Sequence, residues 1–136
     1  MENLVLHATK SSPSIHFDAQ SGTMEIKGKS YPENTSKFFA PVLEWLGQYL
    51  EFSDKRPIVV ELELTYLNSS SSKAFMNLFQ LLERATRNGK EIVVNWHYHE
   101  ENETALECGE EFREDLDGVT FNLVCIPTVD DPTNPA

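Results

Sequence analysis

Several stretches of the chain alternate apolar and polar residues, a two-residue period that predicts β-strands. The clearest is "IVVELELTYL" at 58–67, in which Glu61, Glu63 and Thr65 occupy one face. The other face carries the apolar residues Ile58, Val60, Leu62, Leu64 and Tyr66. Alternations on both sides of "AQSG" predict a β-hairpin, and "EIVVNWHY" and "GVTFNLVCI" predict two more strands. A sheet with one polar face is expected to carry its helices mainly on the other.

Three further stretches repeat apolar residues every three or four positions, the spacing of amphipathic helices. The first covers about 35–50, with Thr35 or Ser36 as its possible N-cap. The second follows a run of serines and is expected to end at Gly89, and the third lies within the acidic segment 100–116. The expected inner stripes are Phe75, Leu78, Phe79, Leu82 and Ala85 in the second helix, and Leu106, Phe112 and Leu116 in the third.

The predicted element order is β-β-α-β-α-β-α-β, which indicates the α/β class with a single-layer mixed sheet and helices mainly on one face. Strands that alternate with helices are expected to be parallel neighbours, and the hairpin adds an antiparallel portion. With 136 residues and 40% hydrophobic content, the chain is expected to form one domain, at 1–126. The acidic, Pro-rich segment 127–136 is expected to be a flexible tail.

Acidic residues outnumber basic ones by 22 to 11, so the formal net charge is −11. Such a chain repels phosphate, and we expect no nucleic-acid partner. No apolar run approaches the roughly 20 residues of a membrane span, and the N-terminus has no basic start followed by a long apolar stretch. These features predict no membrane insertion and a cytoplasmic location. The N-x-S/T triplets at Asn34, Asn68 and Asn102 are then chance matches.

Candidate chemistry outside the serine run is sparse. There is no Walker motif or Gly-rich loop, so no cofactor is expected. Cys108 and Cys125 form no CxxC pair and are expected to be reduced, mostly buried thiols.

His97 and His99 share one face of a predicted strand, which would suit a metal, although no third ligand follows at a defined spacing. A small metal-dependent enzyme that uses these histidines is the alternative function, and exposed strand-end histidines are the simpler explanation. The carboxylates of 100–116 form either a solvated helix face or a docking surface for a basic partner.

Four serines, Ser69 to Ser72, stand where the strand at 58–67 gives way to the second helix. A helix N-terminus has unpaired N–H groups and a partial positive charge, so a serine there either caps the helix or carries a phosphate that these groups stabilise. No Glu or Gln stands three residues after Ser69 or Ser70 to complete a capping box. Lys73 follows Ser69 by four residues, close enough on a helix to meet a phosphate. A phosphate adds about −1.5 to −2 charges, enough to expel a docked partner.

Several segments taken together resemble one family. In chain order they are "SSPSIHFD", "GKSYPEN", "EWLGQYL", "YLNSSSSKAF", "LLERATRNGKEIVVNWHY" and "GEEFREDL". This combination resembles the SiaC-type regulatory phosphoproteins over roughly residues 8–126. The resemblance implies a fold similar to STAS domains and anti-sigma-factor antagonists, and a role as a partner switch.

The resemblance also implies the chemistry of the switch. In the family a serine or threonine directly after "YLN" is phosphorylated, which assigns the phosphoacceptor role to Ser69, with Ser70 and Ser71 as alternatives. The implied partners are a cognate Ser/Thr kinase with a histidine-kinase-like ATPase fold, a PP2C-type phosphatase and a diguanylate cyclase of the GGDEF type. The unphosphorylated form is expected to bind and activate the cyclase, which raises cyclic di-GMP and favours biofilm growth or aggregation. The chain is then a substrate and a ligand, not an enzyme, because the kinase supplies the base and the magnesium.

Three neighbours of the serine run are expected to support it. Asn68 is either a turn former or a contact for the kinase. Lys73 is either a solvated side chain or a partner of the phosphate. Tyr66 is expected to contact a partner.

Overall fold

Six strands and three helices form the part of the chain that the computed structural model describes, residues 1–52 and 56–128. In chain order they are β1 Leu4–Leu6, β2 Ser14–Asp18, β3 Thr23–Ser30, α1 Thr35–Glu51, β4 Ile58–Leu67, α2 Ser69–Arg87, β5 Ile92–His99, α3 Glu103–Asp115 and β6 Thr120–Ile126. The additional strand β1 is absent from the predicted order, because three residues are too few to show an alternation. The predicted mixed α/β architecture is confirmed.

The strands make one sheet whose spatial order follows the sequence, β1-β2-β3-β4-β5-β6. β1, β2 and β3 pair antiparallel, and the pairs from β3 to β6 are parallel. The hairpin predicted around "AQSG" is β2–β3, with Ile15 opposite Ile26. One helix connects each parallel pair, because parallel neighbours need a crossover.

The helices bury their apolar stripes against one face of the sheet and form a single core with it. The buried residues of α2 include every member of the predicted stripe: Phe75, Leu78, Phe79, Leu82 and Ala85. On the opposite face of β4, Glu61, Glu63 and Thr65 stay partly exposed. The expectation of helices mainly on one face is confirmed. None of the helices in residues 1–52 and 56–128 is apolar enough over a sufficient length to cross a membrane.

The pairing between β3 and β4 shifts by one residue near the end of both strands. Leu64 lies opposite Gly28, but the next pair joins Lys29 to Tyr66, so Thr65 is the extra residue of a β-bulge. The bulge interrupts the alternation of the earlier part of β4. Tyr66 is therefore 51% exposed, and the prediction that it continues the apolar face is wrong.

Each helix begins after an asparagine whose side chain caps it. The Oδ1 atoms of Asn34, Asn68 and Asn102 accept the N–H groups of Lys37, Ser71 and Ala105 at 3.1, 2.8 and 3.0 Å. The predicted N-cap of α1, Thr35 or Ser36, is wrong because the preceding residue takes that place. The three N-x-S/T triplets thus coincide with the three helix starts, and Asn is one of the best N-cap residues.

α3 packs against the sheet through two small residues and one aromatic residue. Its buried positions are Ala105, Gly109 and Phe112. Leu106 and Leu116, which the spacing predicts for the inner stripe, are only half-buried. Leu116 is the C-cap residue and lies beyond the last residue of α3. The helix rests on Trp96 of β5 at Gly109, where a Cβ atom would lie 2.5 Å from the indole, and Trp96 Nε1 donates to the carbonyl oxygen of Ala105 at 3.0 Å.

Both cysteines are less buried than the sequence analysis predicts. Cys108 on α3 is half-buried, and Cys125 on β6 is exposed. Within the described residues, Cys108 and Cys125 are free thiols and take part in no disulfide.

Residues 129–136 of the predicted tail lie outside the described residues. Thr128 lies within them, and its N–H donates to the Glu100 carboxylate at 2.9 Å while its hydroxyl donates to Glu101. The first part of the segment 127–136 is therefore attached to the loop after β5. For the residues beyond it, the flexible tail stays a prediction.

Candidate functional site

The serine run forms the first turn of α2, directly after the carboxyl end of β4. Ser69 and Ser70 are exposed, Ser71 is buried and Ser72 is half-buried. Successive residues of a helix point about 100° apart, so four consecutive serines meet different surroundings within one turn. An enzyme that approaches from solvent meets the hydroxyl groups of Ser69 and Ser70.

Asn68, and none of the serines, caps α2. Its Oδ1 atom accepts the Ser71 N–H at 2.8 Å, and its carbonyl oxygen accepts the Ser72 N–H at 3.0 Å. Its own N–H donates to the carbonyl oxygen of Ser30 at 3.1 Å, which ties the cap to the end of β3. The hydroxyl of Ser69 is therefore not used to cap the helix.

Ser71 differs from its neighbours because its side chain is fully buried. Its Oγ atom lies 2.7 Å from the Oγ atom of Ser30, which is fully buried at the end of β3. A hydroxyl in this position reaches a phosphate donor only if the contact between α2 and β3 opens. This burial disfavours Ser71 as an alternative acceptor, whereas Ser70 remains an exposed one.

Two concave surfaces border the junction between β4 and α2. The larger, here called the interhelical groove, has a volume of about 900 Å³. It is lined, among others, by Glu33, by Ser36, Lys37, Ala40 and Leu43 of α1, and by Ser70 and Lys73 of α2. The smaller is a mainly apolar pocket of about 280 Å³ between the end of β4 and α3, lined by Tyr66, Leu67 and Cys108 among others. Leu67 lines the apolar pocket and Ser70 lines the interhelical groove, and Ser69 lies between them in the chain. A partner bound on either surface therefore lies close to Ser69.

The first turn of α2 contains no acidic residue, so the partial positive charge of its N–H groups is not offset there. Lys73 is exposed and follows Ser69 by four residues, which makes the two side chains neighbours on the helix surface. Among the described residues the Lys73 ammonium group makes no ion pair. A phosphate on Ser69 would meet both positive groups.

The two histidines of the alternative metal hypothesis lie on the open face of the sheet, each beside one glutamate. His97 Nε2 is 2.5 Å from Glu61 Oε2, and His99 Nε2 is 3.7 Å from Glu63 Oε2. In residues 1–52 and 56–128 no three His, Cys, Asp or Glu side chains gather so as to hold a metal ion. The structure therefore offers no observation that favours the metal-dependent enzyme.

Glu61 begins a polar ladder that crosses the three parallel strands β4, β5 and β6. Asn95 Nδ2 donates to Glu61 Oε1 at 2.8 Å, and Asn122 Nδ2 donates to Asn95 Oδ1 at 3.0 Å. Partial burial raises the pKa of Glu61, but the hydrogen bonds from His97 and Asn95, with the attraction of His97 and Lys27, outweigh it and hold that pKa below its usual value. These cross-strand contacts give the face a structural role.

The structure brings together only some of the candidate site residues predicted from the sequence. Tyr66, Asn68, Ser69 and Lys73 all lie between the end of β4 and the start of α2. The two histidines lie apart from them on β5, each beside a glutamate of β4. Sequence reasoning missed Ser30, because no local pattern indicates that its hydroxyl is buried against a residue so far along the chain. The T-shaped contact between the rings of Tyr31 and Tyr66, with centroids 5.8 Å apart, also had no local signal in the sequence.

Comparison with known proteins places these residues in context. The model for the SiaC family of regulatory phosphoproteins matches residues 6–126. An uncharacterized protein of Pseudomonas aeruginosa strain UCBPP-PA14 is 42% identical over 115 residues, which cover 85% of this chain and 90% of the relative. The structure of SiaC of Pseudomonas aeruginosa matches with a TM-score of 0.82 and 37% identity, over 94% of this chain and 100% of that one. A chain in the crystal structure of the diguanylate cyclase SiaD in complex with its activator SiaC, from the same organism, matches with a TM-score of 0.82 and 38% identity, over 92% of this chain and 99% of that one.

Proposed function

Because the chain belongs to the SiaC family of regulatory phosphoproteins, we propose that it is a phosphorylation-controlled signalling adaptor, a partner switch that acts by binding and not by catalysis. Its unphosphorylated form binds and activates a diguanylate cyclase in the cytoplasm. Phosphorylation of Ser69 releases the cyclase, cyclic di-GMP falls, and biofilm growth or aggregation is no longer favoured.

The surroundings of the Ser69 hydroxyl carry this proposal. Ser69 is exposed at the first position of α2, and the capping role that a serine often takes there belongs to Asn68. The buried contact between Ser71 and Ser30 anchors the same turn to β3. The acceptor hydroxyl is thus presented on a supported backbone, accessible to a kinase and to a phosphatase.

The cyclase as partner is inferred from a relative. Pseudomonas aeruginosa SiaC is the activator of the diguanylate cyclase SiaD in their complex, and the similarity to that structure extends over 92% of this chain. We extend the same class of partner to this protein. The kinase with a histidine-kinase-like ATPase fold and the PP2C-type phosphatase complete the proposed cycle.

The phosphoryl transfer needs little from this chain. Ser69 Oγ attacks the γ-phosphorus of ATP, its proton passes to a base on the kinase, and ADP leaves. The product adds about −1.5 to −2 charges at the start of α2, where N–H groups and Lys73 stabilise it. The PP2C-type phosphatase reverses the change by hydrolysis of the phosphoserine to serine and inorganic phosphate.

Mass spectrometry after incubation with the cognate kinase and ATP tests the acceptor. We expect one phosphate, at Ser69, in the wild-type protein and in Ser70→Ala, and none in Ser69→Ala. Phosphate at Ser70 that persists in Ser69→Ala would assign the phosphoacceptor role to Ser70 instead of Ser69. Label outside residues 69–72 would contradict the proposal.

Calorimetry with the cognate cyclase tests the switch. We expect tight binding and higher cyclase activity with the unphosphorylated protein, and loss of both with the phosphorylated protein. Ser69→Glu is expected to weaken binding by less than phosphate does, because it carries one charge. Equal affinity of both phosphorylation states would indicate a constitutive scaffold.

A further inference from the structure

The interhelical groove is a basic surface on an acidic protein. Lys37 and Lys73 line it from opposite walls, and both side chains are exposed. In the described part of the chain neither ammonium group lies within 4.0 Å of a carboxylate. Glu33 is the acidic residue among those that line the groove. The charged residues that line the groove, two lysines and one glutamate, carry a formal net charge of +1, against −11 for the whole chain.

The starts of α1 and α2 add to this positive character. Neither helix has an acidic residue in its first turn, and Ser36 and Ser70 from these turns line the groove. A helix N-terminus carries about half a positive charge. Ala40 and Leu43 give the α1 side of the groove an apolar portion. The groove therefore suits a segment that presents both carboxylates and apolar side chains.

We propose that the interhelical groove receives an acidic, partly apolar segment of the diguanylate cyclase, with carboxylates placed on Lys37 and Lys73. This inference rests on the proposed function and adds the docking surface and the chemistry of the docked segment. A second copy of this chain is the less favourable occupant, because two molecules that each carry a formal net charge of −11 repel one another as wholes.

The same geometry explains how a phosphate on Ser69 acts. Ser69 and Lys73 are neighbours four residues apart on α2, and the adjoining Ser70 lines the groove beside Lys73. A phosphate of nearly two negative charges competes with the carboxylates of the partner for Lys73 and repels them from the groove. The release is then a competition between two anions for one basic site.

Binding to the cognate cyclase, taken as the GGDEF protein of the source genome most similar to SiaD, tests the docking surface. Calorimetry compares the wild-type protein with Lys37→Gln, Lys73→Gln and the double variant, and Arg113→Gln on α3 removes the same charge outside the groove. We expect each groove variant to raise Kd by roughly fivefold and the double variant by more, with Arg113→Gln within about twofold of wild type. The wild-type Kd should rise more steeply with NaCl than that of the double variant. Thermal melts check that all variants fold.

Three outcomes would overturn the inference, and they separate it from the proposed function. Wild-type affinity in both lysine variants, together with release on phosphorylation, overturns the groove and leaves the switch standing. No cyclase binding by the wild-type protein overturns both. A dimer that dissociates only in the double variant assigns the groove to a second copy of the chain.

The competition has its own readout. If the phosphate mimic acts by taking Lys73, Ser69→Glu weakens binding less in the Lys73→Gln background than in the wild-type background. An equal fold-loss in both backgrounds means that the added group blocks the partner sterically, and it contradicts the competition.

Discussion

The Oγ atoms of Ser30 and Ser71 lie 2.7 Å apart, and both side chains are fully buried. This hydrogen bond joins the end of β3 to the first turn of α2, two residues after the proposed phosphoacceptor. The adjacent backbone hydrogen bond from Asn68 to Ser30 reinforces the same connection. The accessible serines are therefore held on a turn whose inner side is fastened to the sheet.

Removal of one member of the serine pair should cost more than removal of both. Ser71→Ala leaves the Ser30 hydroxyl buried without its partner, and we expect a loss of about 1–3 kcal/mol in the free energy of unfolding. The double variant Ser30→Ala/Ser71→Ala removes both polar groups and should recover part of that loss. Urea denaturation of Ser71→Ala, of Ser30→Ala and of the double variant measures the coupling, and strictly additive losses would contradict it.

Loss of the Asn68 cap should destabilise α2. Asn68→Ala removes the acceptor of the Ser71 N–H, with an expected cost of about 1 kcal/mol in the free energy of unfolding. Asn68→Asp keeps an acceptor and places a negative charge at the helix start, so it should remain close to wild type. Chemical denaturation compares the pair, and an aspartate variant as unstable as the alanine variant would argue against the cap.

Gly109 and Gly47 should respond in opposite directions to the same substitution. A Cβ atom at Gly109 would lie 2.5 Å from Trp96 Cδ1, so Gly109→Ala should destabilise the fold by roughly 1–3 kcal/mol despite its better helix propensity. A Cβ atom at Gly47 on α1 meets nothing within 4 Å, and Gly47→Ala should stabilise by about 0.5–1 kcal/mol. Thermal unfolding decides the signs, and a stabilised Gly109→Ala would refute the close contact.

Glu61 should contribute to stability above the acid range. Its pKa is lowered in the folded protein, so the unfolded chain binds more protons near pH 4 and stability rises with pH. The contribution is complete above the unfolded pKa and is lost as pH falls through the folded one. Glu61→Gln should therefore flatten the decrease in the free energy of unfolding between about pH 5 and pH 3. Glu44→Gln, at an exposed position of α1, is the control, and an unchanged slope in Glu61→Gln would contradict the linkage.

The two thiols should differ in reactivity. Partial burial, with the nearby charge of Glu111, raises the pKa of Cys108 to about 11, so about one thiol in a thousand is ionised at pH 8. Cys125 is exposed on β6. Iodoacetamide at pH 8 should alkylate Cys125 first, and mass spectrometry over time, with Cys125→Ser as control, gives the order. Faster labelling of Cys108 would mean that α3 opens readily.

Local patterns in the sequence were sufficient for most of the architecture. The alternation in β4 and the three- and four-residue spacing in α2 involve residues close together in the chain. Both patterns can therefore be recognised without knowledge of the elements that pack against them. The location of the candidate site followed in the same way, because a serine run after a strand and before a helix marks a helix N-terminus. The family resemblance of "YLN" at 66–68 then assigned the phosphoacceptor role to Ser69, with Ser70 and Ser71 as alternatives.

Only the tertiary structure decided which hydroxyl groups of the serine run are exposed and which is buried. Ser71 is buried because Ser30, 41 residues earlier, lies against it, and no local period encodes that contact. Tyr66 is exposed because β3 shifts the register of β4. By itself the sequence determined most of the elements and the place of the candidate site, because these depend on neighbours along the chain. The burial of each serine and the joining of α1 and α2 into one basic groove depend on residues far apart in sequence, which only folding brings together.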